Sequence, residues 1–201
     1  MRDQIKLLIK ANQSREEKQH LKAITYFTRF LDDYNDADIM GILASTYFKL
    51  SAEQPGVGDF IQKAIQWSDK AIALEPNRAE FYVTRGDILS YGIDAPNYRE
   101  ALDSYRRALK LNPNLVEACI GLASLEGVPD KVISLSEAIA VMKHASEVRP
   151  ENPYIHLRLG TLYKEAGHIS EAQSAFKRAL LCPESLSLRH VKTIVQMLNL
   201  E

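Results

Sequence analysis

The feature that most constrains this chain is a proline-anchored pattern that recurs along it. Pro76, Pro113 and Pro150 each follow an alanine twelve residues earlier (64→76, 101→113, 138→150) and a second alanine five residues earlier (71→76, 108→113, 145→150). A further copy carries Ala172 and Ala179 with Pro183, one residue early, and a weaker first copy carries Ala23 and Phe27 with Asn35 in the proline position. Self-similarity at such a period marks a repeat architecture in which each unit buries its apolar face only against its neighbours. Within a copy the spacing is alanine, a large residue four later, and alanine three beyond, as in Ala101-Tyr105-Ala108 and Ala172-Phe176-Ala179. Steps of four and three hold these residues on one helical face. The alanines permit close approach of a second helix, and the ring fills the space beside it. The proline then stops the helix, because it has no N–H and disfavours helix in the residue before it.

The residues upstream complete a helix pair. The fifth repeat reads Leu159-Gly160-x2-Tyr163, then Ala172-x3-Phe176, with Gly167 at the turn between. The third reads Tyr82-x2-Arg85-Gly86-x2-Leu89, then Ala101-x3-Tyr105 and Pro113. The second has Leu43-Ala44-x2-Tyr47, Ala64, Ala71 and Pro76; the fourth has Leu122-Ala123, Ala138-x3-Met142, Ala145 and Pro150. This resembles the tetratricopeptide-repeat (TPR) family, whose signature is W-x2-L-G-x2-Y…A-x3-F…P with a period of about 34. The resemblance implies an all-α fold, a right-handed helical solenoid of about five TPR helix pairs plus a C-terminal capping helix. It sets residues 1–201 as a single TPR domain, with repeats at about 4–36, 37–78, 79–115, 116–152 and 153–184 and the capping helix at about 185–200.

The repeats are irregular. From the small residue of the first helix to the alanine of the second, the fifth repeat spans twelve (160→172), the third and fourth fifteen (86→101, 123→138) and the second twenty (44→64). The additions, Ser51–Gly58, Asp94–Asn97 and Gly127–Asp130, are turn-rich and fall between the two helices of a repeat. They are either tolerated loop growth or an edge that forms a second contact surface. Trp67, the single tryptophan, follows the longest addition and is expected to pack beneath it. Ile5, Leu7, Leu8 and Ile9 make the first helix apolar nearly all round, and Leu188, Val191, Ile194, Val195 and Leu198 form a final amphipathic helix. Terminal repeats normally carry a polar outer face, so these ends are either buried within the monomer or mark a homo-oligomer contact or the cut ends of a longer protein.

Composition limits the chemistry. With 25 basic and 26 acidic residues the net charge is −1, which supplies no field for nucleic acid or an anionic membrane. No apolar run reaches the roughly 18 residues of a membrane helix, and the N-terminus lacks a secretory leader pattern. Cys119 and Cys182 stand apart, in no metal-ligand spacing, and fit a reducing compartment. The expectation is a cytoplasmic protein that binds no nucleic acid and inserts into no membrane. The five histidines make no H-E-x-x-H, Gly56-Val57-Gly58 is no phosphate loop, and there is no G-x-S-x-G elbow. The chain is therefore expected to be no enzyme and to need no cofactor or metal. His156 takes a position usually aromatic in the family and reads as a packing residue.

The family resemblance implies that a partner protein or peptide lies along the concave face lined by the first helix of each repeat. Counting position 1 at Gln4, Ala37, Ala79, Val116 and Pro153, the inward positions are Asp38, Ile42, Ser45, Phe48 and Lys49 in repeat two. They are Glu80, Val83, Thr84, Asp87 and Tyr91 in repeat three, Glu117, Ile120, Gly121 and Ser124 in repeat four, and Tyr154, Leu157, Arg158, Thr161 and Lys164 in repeat five. Asp38, Glu80, Asp87 and Glu117 predict an acidic middle, and Arg158 and Lys164 a basic end. Phe48, Val83, Tyr91, Ile120, Tyr154 and Leu157 supply apolar anchors. TPR co-chaperones grip acidic chaperone tails through Lys, Asn, Asn, Lys and Arg at set positions; here those positions hold Leu8, Asn12, Ile42, Glu80 and Thr84, so that clamp is not expected. The function implied is a non-catalytic scaffold or adaptor for another protein. The alternatives are a homo-oligomeric assembly module, or a regulatory TPR segment of a larger enzyme or secretion-machine protein.

Overall fold

A computed structural model describes residues 2–56, 58–91, 96–182 and 186–198. Every regular element among them is helical. The chain divides into two compact units, Met1–Leu111 and Asn112–Glu201.

The first unit holds three helix pairs: α1 (Arg2–Glu16) with α2 (His20–Leu31), α3 (Ala37–Glu53) with α4 (Phe60–Leu74), and α5 (Ala79–Tyr91) with α6 (Tyr98–Leu111). Successive pairs stack, α2 on α3 and α4 on α5, and α3 also meets α5. The alanines of the repeat pattern, Ala23, Ala64, Ala71, Ala101 and Ala108, are fully buried. Gly86 shows why the partner residue must be small: a Cβ built there would lie 2.5 Å from Tyr105 Cε1. One core cluster joins Ala11, Phe27, Phe30, Leu43 and Leu50, and another joins Ala44, Ala64 and Ile88.

The second unit pairs α7 (Val116–Ser124) with α8 (Leu135–Val148) and α9 (Pro153–Glu165) with α10 (Ile169–Leu181), and α11 (Leu188–Leu198) packs on α10. A Cβ on Gly160 would lie 2.5 Å from Phe176 Cε1, the same small-residue-under-ring contact as in the first unit. Gly167, at φ +76°, makes the α9–α10 turn. Ala172, Phe176, Ala179 and Ile194 form the terminal cluster, into which Leu157, Leu186 and Met197 pack. Pro183, the displaced proline of this repeat, lies outside the described residues.

The inserted segments differ in kind. Ser51, Ala52 and Glu53 are no loop; they continue α3, and the turn begins at Gln54. Gly56 (φ +74°) and Gly58 (φ +68°) give the backbone reversal that follows. Phe60, not Trp67, covers this turn: its ring lies 3.6 Å from where a Gly58 Cβ would stand, and 6.3 Å, centroid to centroid, from Tyr47. Trp67 lies two turns further along α4 and packs instead between the clusters around Leu43, Ala71 and Ala64. Of the second addition, Asp94 and Ala95 lie outside the described residues, and Asn97 accepts from the Glu100 N–H at the start of α6. The third is anchored: after a 3-10 turn at Leu125–Gly127, Ile133 is buried before Ser134 caps α8. At the chain's ends, Ile5 and Ile9 on α1 and Leu188 and Val195 on α11 are exposed, while Leu7 and Leu8 are half-buried and Ile194 is fully buried. No helix among the described residues is long and apolar enough to cross a membrane.

Candidate protein-binding surface

The positions that the sequence pattern assigns to the inward face of the first helices differ in exposure. On α5, Tyr91 is 57% exposed and Glu80 is exposed, Thr84 and Asp87 are half-buried, and Val83 is buried. On α3, Asp38 and Lys49 are exposed. Ile42 packs against the Leu43 cluster and Phe48 against the Ala44 cluster, so each offers only part of its side chain. Ser45 and Thr84 donate back to the Ile42 and Glu80 carbonyls of their own helices.

The acids of this face carry less net charge than their sequence suggests. Arg78, in the turn between α4 and α5, pairs with Asp38 at 2.7 Å, with Glu75 at 3.3 Å and with Glu80 at 3.9 Å, while its guanidinium lies 5.0 Å from the Phe81 ring centre. Asp87 is no free groove acid either. The Tyr105 hydroxyl donates to it at 2.8 Å, and burial pushes its carboxyl above the usual aspartate range despite that bond. A guanidinium two positions away serves the fold: Arg85 donates to Asp69 on α4 at 2.8 Å, to Glu100 on α6 at 2.9 Å and to the Ser104 hydroxyl at 3.2 Å.

In the second unit, α7 exposes Glu117 and Ile120 (40%), while Gly121 is buried and Ser124 is half-buried, donating to the Gly121 carbonyl. Glu117 accepts from Arg149 at 2.7 Å. On α9, Tyr154 is 44% exposed and meets the His190 ring of α11 edge-on at 5.3 Å. Leu157 packs into the terminal cluster, Thr161 donates to the Leu157 carbonyl, and Lys164 is exposed. Arg158 is engaged: it donates to the Ala123 carbonyl near the end of α7 at 3.3 Å and stands 4.0 Å from Glu126. Among the inward positions of α7 and α9 the exposed cation is therefore Lys164. Sequence reading missed Arg78, Arg149, Tyr105 and His190. The arginines sit in or beside the proline turns, where a cation close to the next helix start was the available signal.

The packing residues of the fourth position show a shared device. Tyr82 donates to the Pro76 carbonyl at 3.0 Å and His156 to the Pro150 carbonyl at 2.7 Å, each six residues after its proline. Cys119, the equivalent of the fourth repeat, is buried and does not make this bond; His144 from α8 donates to the Pro113 carbonyl at 3.1 Å instead. Burial pushes the Cys119 thiol up, away from the reactive thiolate. Among the described residues no group of three His, Cys, Asp or Glu side chains is placed to hold a metal ion.

Helix pairs with buried alanines and glycine-under-ring contacts define an α-helical repeat protein. Residues 134–182 match the tetratricopeptide repeat family, and solved TPR structures share the fold of the chain. The crystal structure of MamA protein aligns at a TM-score of 0.68 with 21% identity, covering 92% of this chain and 97% of that one. A thermophilic TPR protein of Thermus thermophilus aligns at a TM-score of 0.70 with 20% identity over 98% of this chain and all (100%) of that one. A tetratricopeptide repeat protein from Parabacteroides merdae aligns at 0.69 with 18% identity over 96% of this chain and 70% of that one. No curated protein sequence matches the chain significantly. Identities this low establish the fold. A TPR fold supports a protein-interaction scaffold in general.

Proposed function

We propose that this chain is a non-catalytic scaffold or adaptor of the cytoplasm that holds a peptide or helical segment of another protein against the inward faces of its first helices. One observation carries this reading. Tyr91 on α5, and Ile120 on α7 with Tyr154 on α9, stand 57%, 40% and 44% exposed at inward positions of the repeat. Large apolar side chains held on rigid helices lose little entropy on binding and dominate interface energies. Paired Asp38, Glu80 and Glu117 and hydrogen-bonded Asp87 leave these rings, rather than a field of bare carboxylates, as the source of affinity. Arg78 and Arg149 then act as exchangeable partners that an incoming basic group replaces on those acids.

The test is affinity capture with mass spectrometry, repeated with Tyr91→Ala and Tyr154→Ala. Each ring should weaken its true partner by about 1–2 kcal/mol, or roughly tenfold. A partner retained in full by both variants would place the binding face elsewhere. Homo-oligomeric assembly is the second reading, favoured by exposed Ile5 (53%) and Ile9 (59%) on α1 and Leu188 (71%) on α11. Sedimentation that shows a monomer at every concentration removes it.

A further inference from the structure

In the first unit, the last two turns of α4 and the connection from α2 to α3 enclose a surface cavity of about 420 Å³. Leu31, Asn35, Met40, Trp67, Lys70 and Leu74 line it. None of these belongs to the faces assigned above. Trp67 is the single tryptophan of the chain. Leu74 is 45% exposed, and Tyr34, stacked on Phe30 at 5.1 Å, is 45% exposed in the same connection. A tryptophan, a methionine and two leucines around one cleft form the kind of apolar recess that receives a side chain of a partner.

The connection beside the recess carries acids without an ion-pair partner among the described residues. The connection Leu31–Asp36 carries Asp32, Asp33 and Asp36, and among the described residues no lysine or arginine pairs with any of the three. Asp33 accepts from the Gln4 amide at 2.8 Å, and Asp36 caps the Ile39 N–H. The guanidinium of Arg78 pairs with Asp38 and Glu75 rather than with these three acids. The one cation of the lining is Lys70, and its Nζ sits 4.0 Å from the centre of the Trp67 ring. The ring face is thus already used as a cation seat. A guanidinium is less strongly hydrated than an ammonium and stacks flat on an aromatic face, so an incoming arginine displaces Lys70 favourably.

We propose that this cavity docks a short basic segment of a partner protein. The segment places a large aliphatic side chain against Met40 and Leu74 and an arginine over Trp67, with its remaining positive charge facing Asp32 and Asp33. The site is separate from the faces that carry the scaffold reading, so the two stand or fall independently.

Trp67 supplies the readout, because all tryptophan emission arises at the site. The probe is a capped Gly-Ser peptide with one leucine flanked by two arginines, titrated into the full chain. Controls replace the arginines by glutamate, or the leucine by serine. A saturable change in emission is expected, with affinity falling at least about tenfold for either control peptide. It should fall as far for the exposed-site variant D32K/D33K and for Leu74→Asp, and be unchanged in Tyr91→Ala. Raising the salt concentration should weaken it. Binding of the glutamate or serine peptide within threefold of the probe overturns the proposal. So does the absence of any saturable change up to millimolar peptide. A dimer in sedimentation that Leu74→Asp dissolves would assign the cavity to a second copy of this chain and overturn it as well.

Discussion

The Tyr105 hydroxyl donates a 2.8 Å hydrogen bond to Asp87 Oδ1, and the same hydroxyl lies 3.3 Å from the Ser90 hydroxyl. The ring of Tyr105 meanwhile fills the space above Gly86. A residue that the repeat pattern uses only for its shape therefore also fixes an acid that the pattern assigns to an inward position.

Asp87 makes stability depend on pH. Burial raises its carboxyl in the folded state, so between the ordinary aspartate value near 3.9 and that raised value the folded chain binds more protons than the unfolded one. Its contribution is fully present below the unfolded value and is lost as pH rises through the folded one. Asp87→Asn keeps an acceptor for Tyr105 and removes the buried charge. Chemical denaturation should show Asn equal to or more stable than the parent at neutral pH, with a flatter decline in stability above about pH 4. Tyr105→Phe strips the donor from a half-buried carboxylate and should cost about 1–2 kcal/mol at neutral pH.

Two glycines should resist alanine while a third accepts it. A Cβ at Gly160 meets the Phe176 ring at 2.5 Å, and one at Gly86 meets Tyr105 at 2.5 Å. Alanine gains about 1 kcal/mol of helix propensity over glycine, and overpacking costs about 1–3 kcal/mol. Each substitution is expected to destabilise by up to about 2 kcal/mol net. Gly127 has nothing within 4 Å of its Cβ position, and Gly127→Ala should fall within about 0.5 kcal/mol of the parent. Melting temperatures of the three variants would check the contrast.

Arg85 ties three helices through Asp69, Glu100 and Ser104, and its side chain is only 22% exposed. Arg85→Lys keeps the charge but cannot present a fork to two carboxylates on different helices. It should lose about 1–2 kcal/mol in urea denaturation, and Arg85→Ala more. A double-mutant cycle with Asp69→Ala should show coupling above the small value of an exposed pair.

Tyr82 and His156 close the proline carbonyls at the ends of α4 and α8. His156→Phe preserves the ring packing and leaves the Pro150 carbonyl without this donor, and should cost about 1 kcal/mol. Tyr82→Phe should cost less, because Tyr82 is half-buried whereas His156 is 3% exposed. Amide exchange at the start of α9 should quicken in the histidine variant.

The sequence alone determined the helix pairs. Alanine, ring and proline act through local geometry, so their spacing states where a helix lies, which face is buried and where it stops. The glycine under Phe176 was legible for the same reason. Even there the sequence misled where several conformations satisfy one composition: Ser51–Glu53 read as loop and extends α3, and Trp67 was expected to pack beneath the turn against which Phe60 packs.

Only the tertiary structure decided the electrostatics of the candidate surface. Arg78 meets Asp38 across forty positions (38→78), Arg149 meets Glu117 across 32, and Arg158 reaches the Ala123 carbonyl across 35. Helical periodicity assigns a side chain to a face. Which opposite charge lies within about 3 Å of it depends on how neighbouring helices are set against each other, and on side chains long enough to choose among several acceptors. A list of inward residues therefore names candidate apolar anchors, while the charge each position presents is set by packing between helices far apart in the chain.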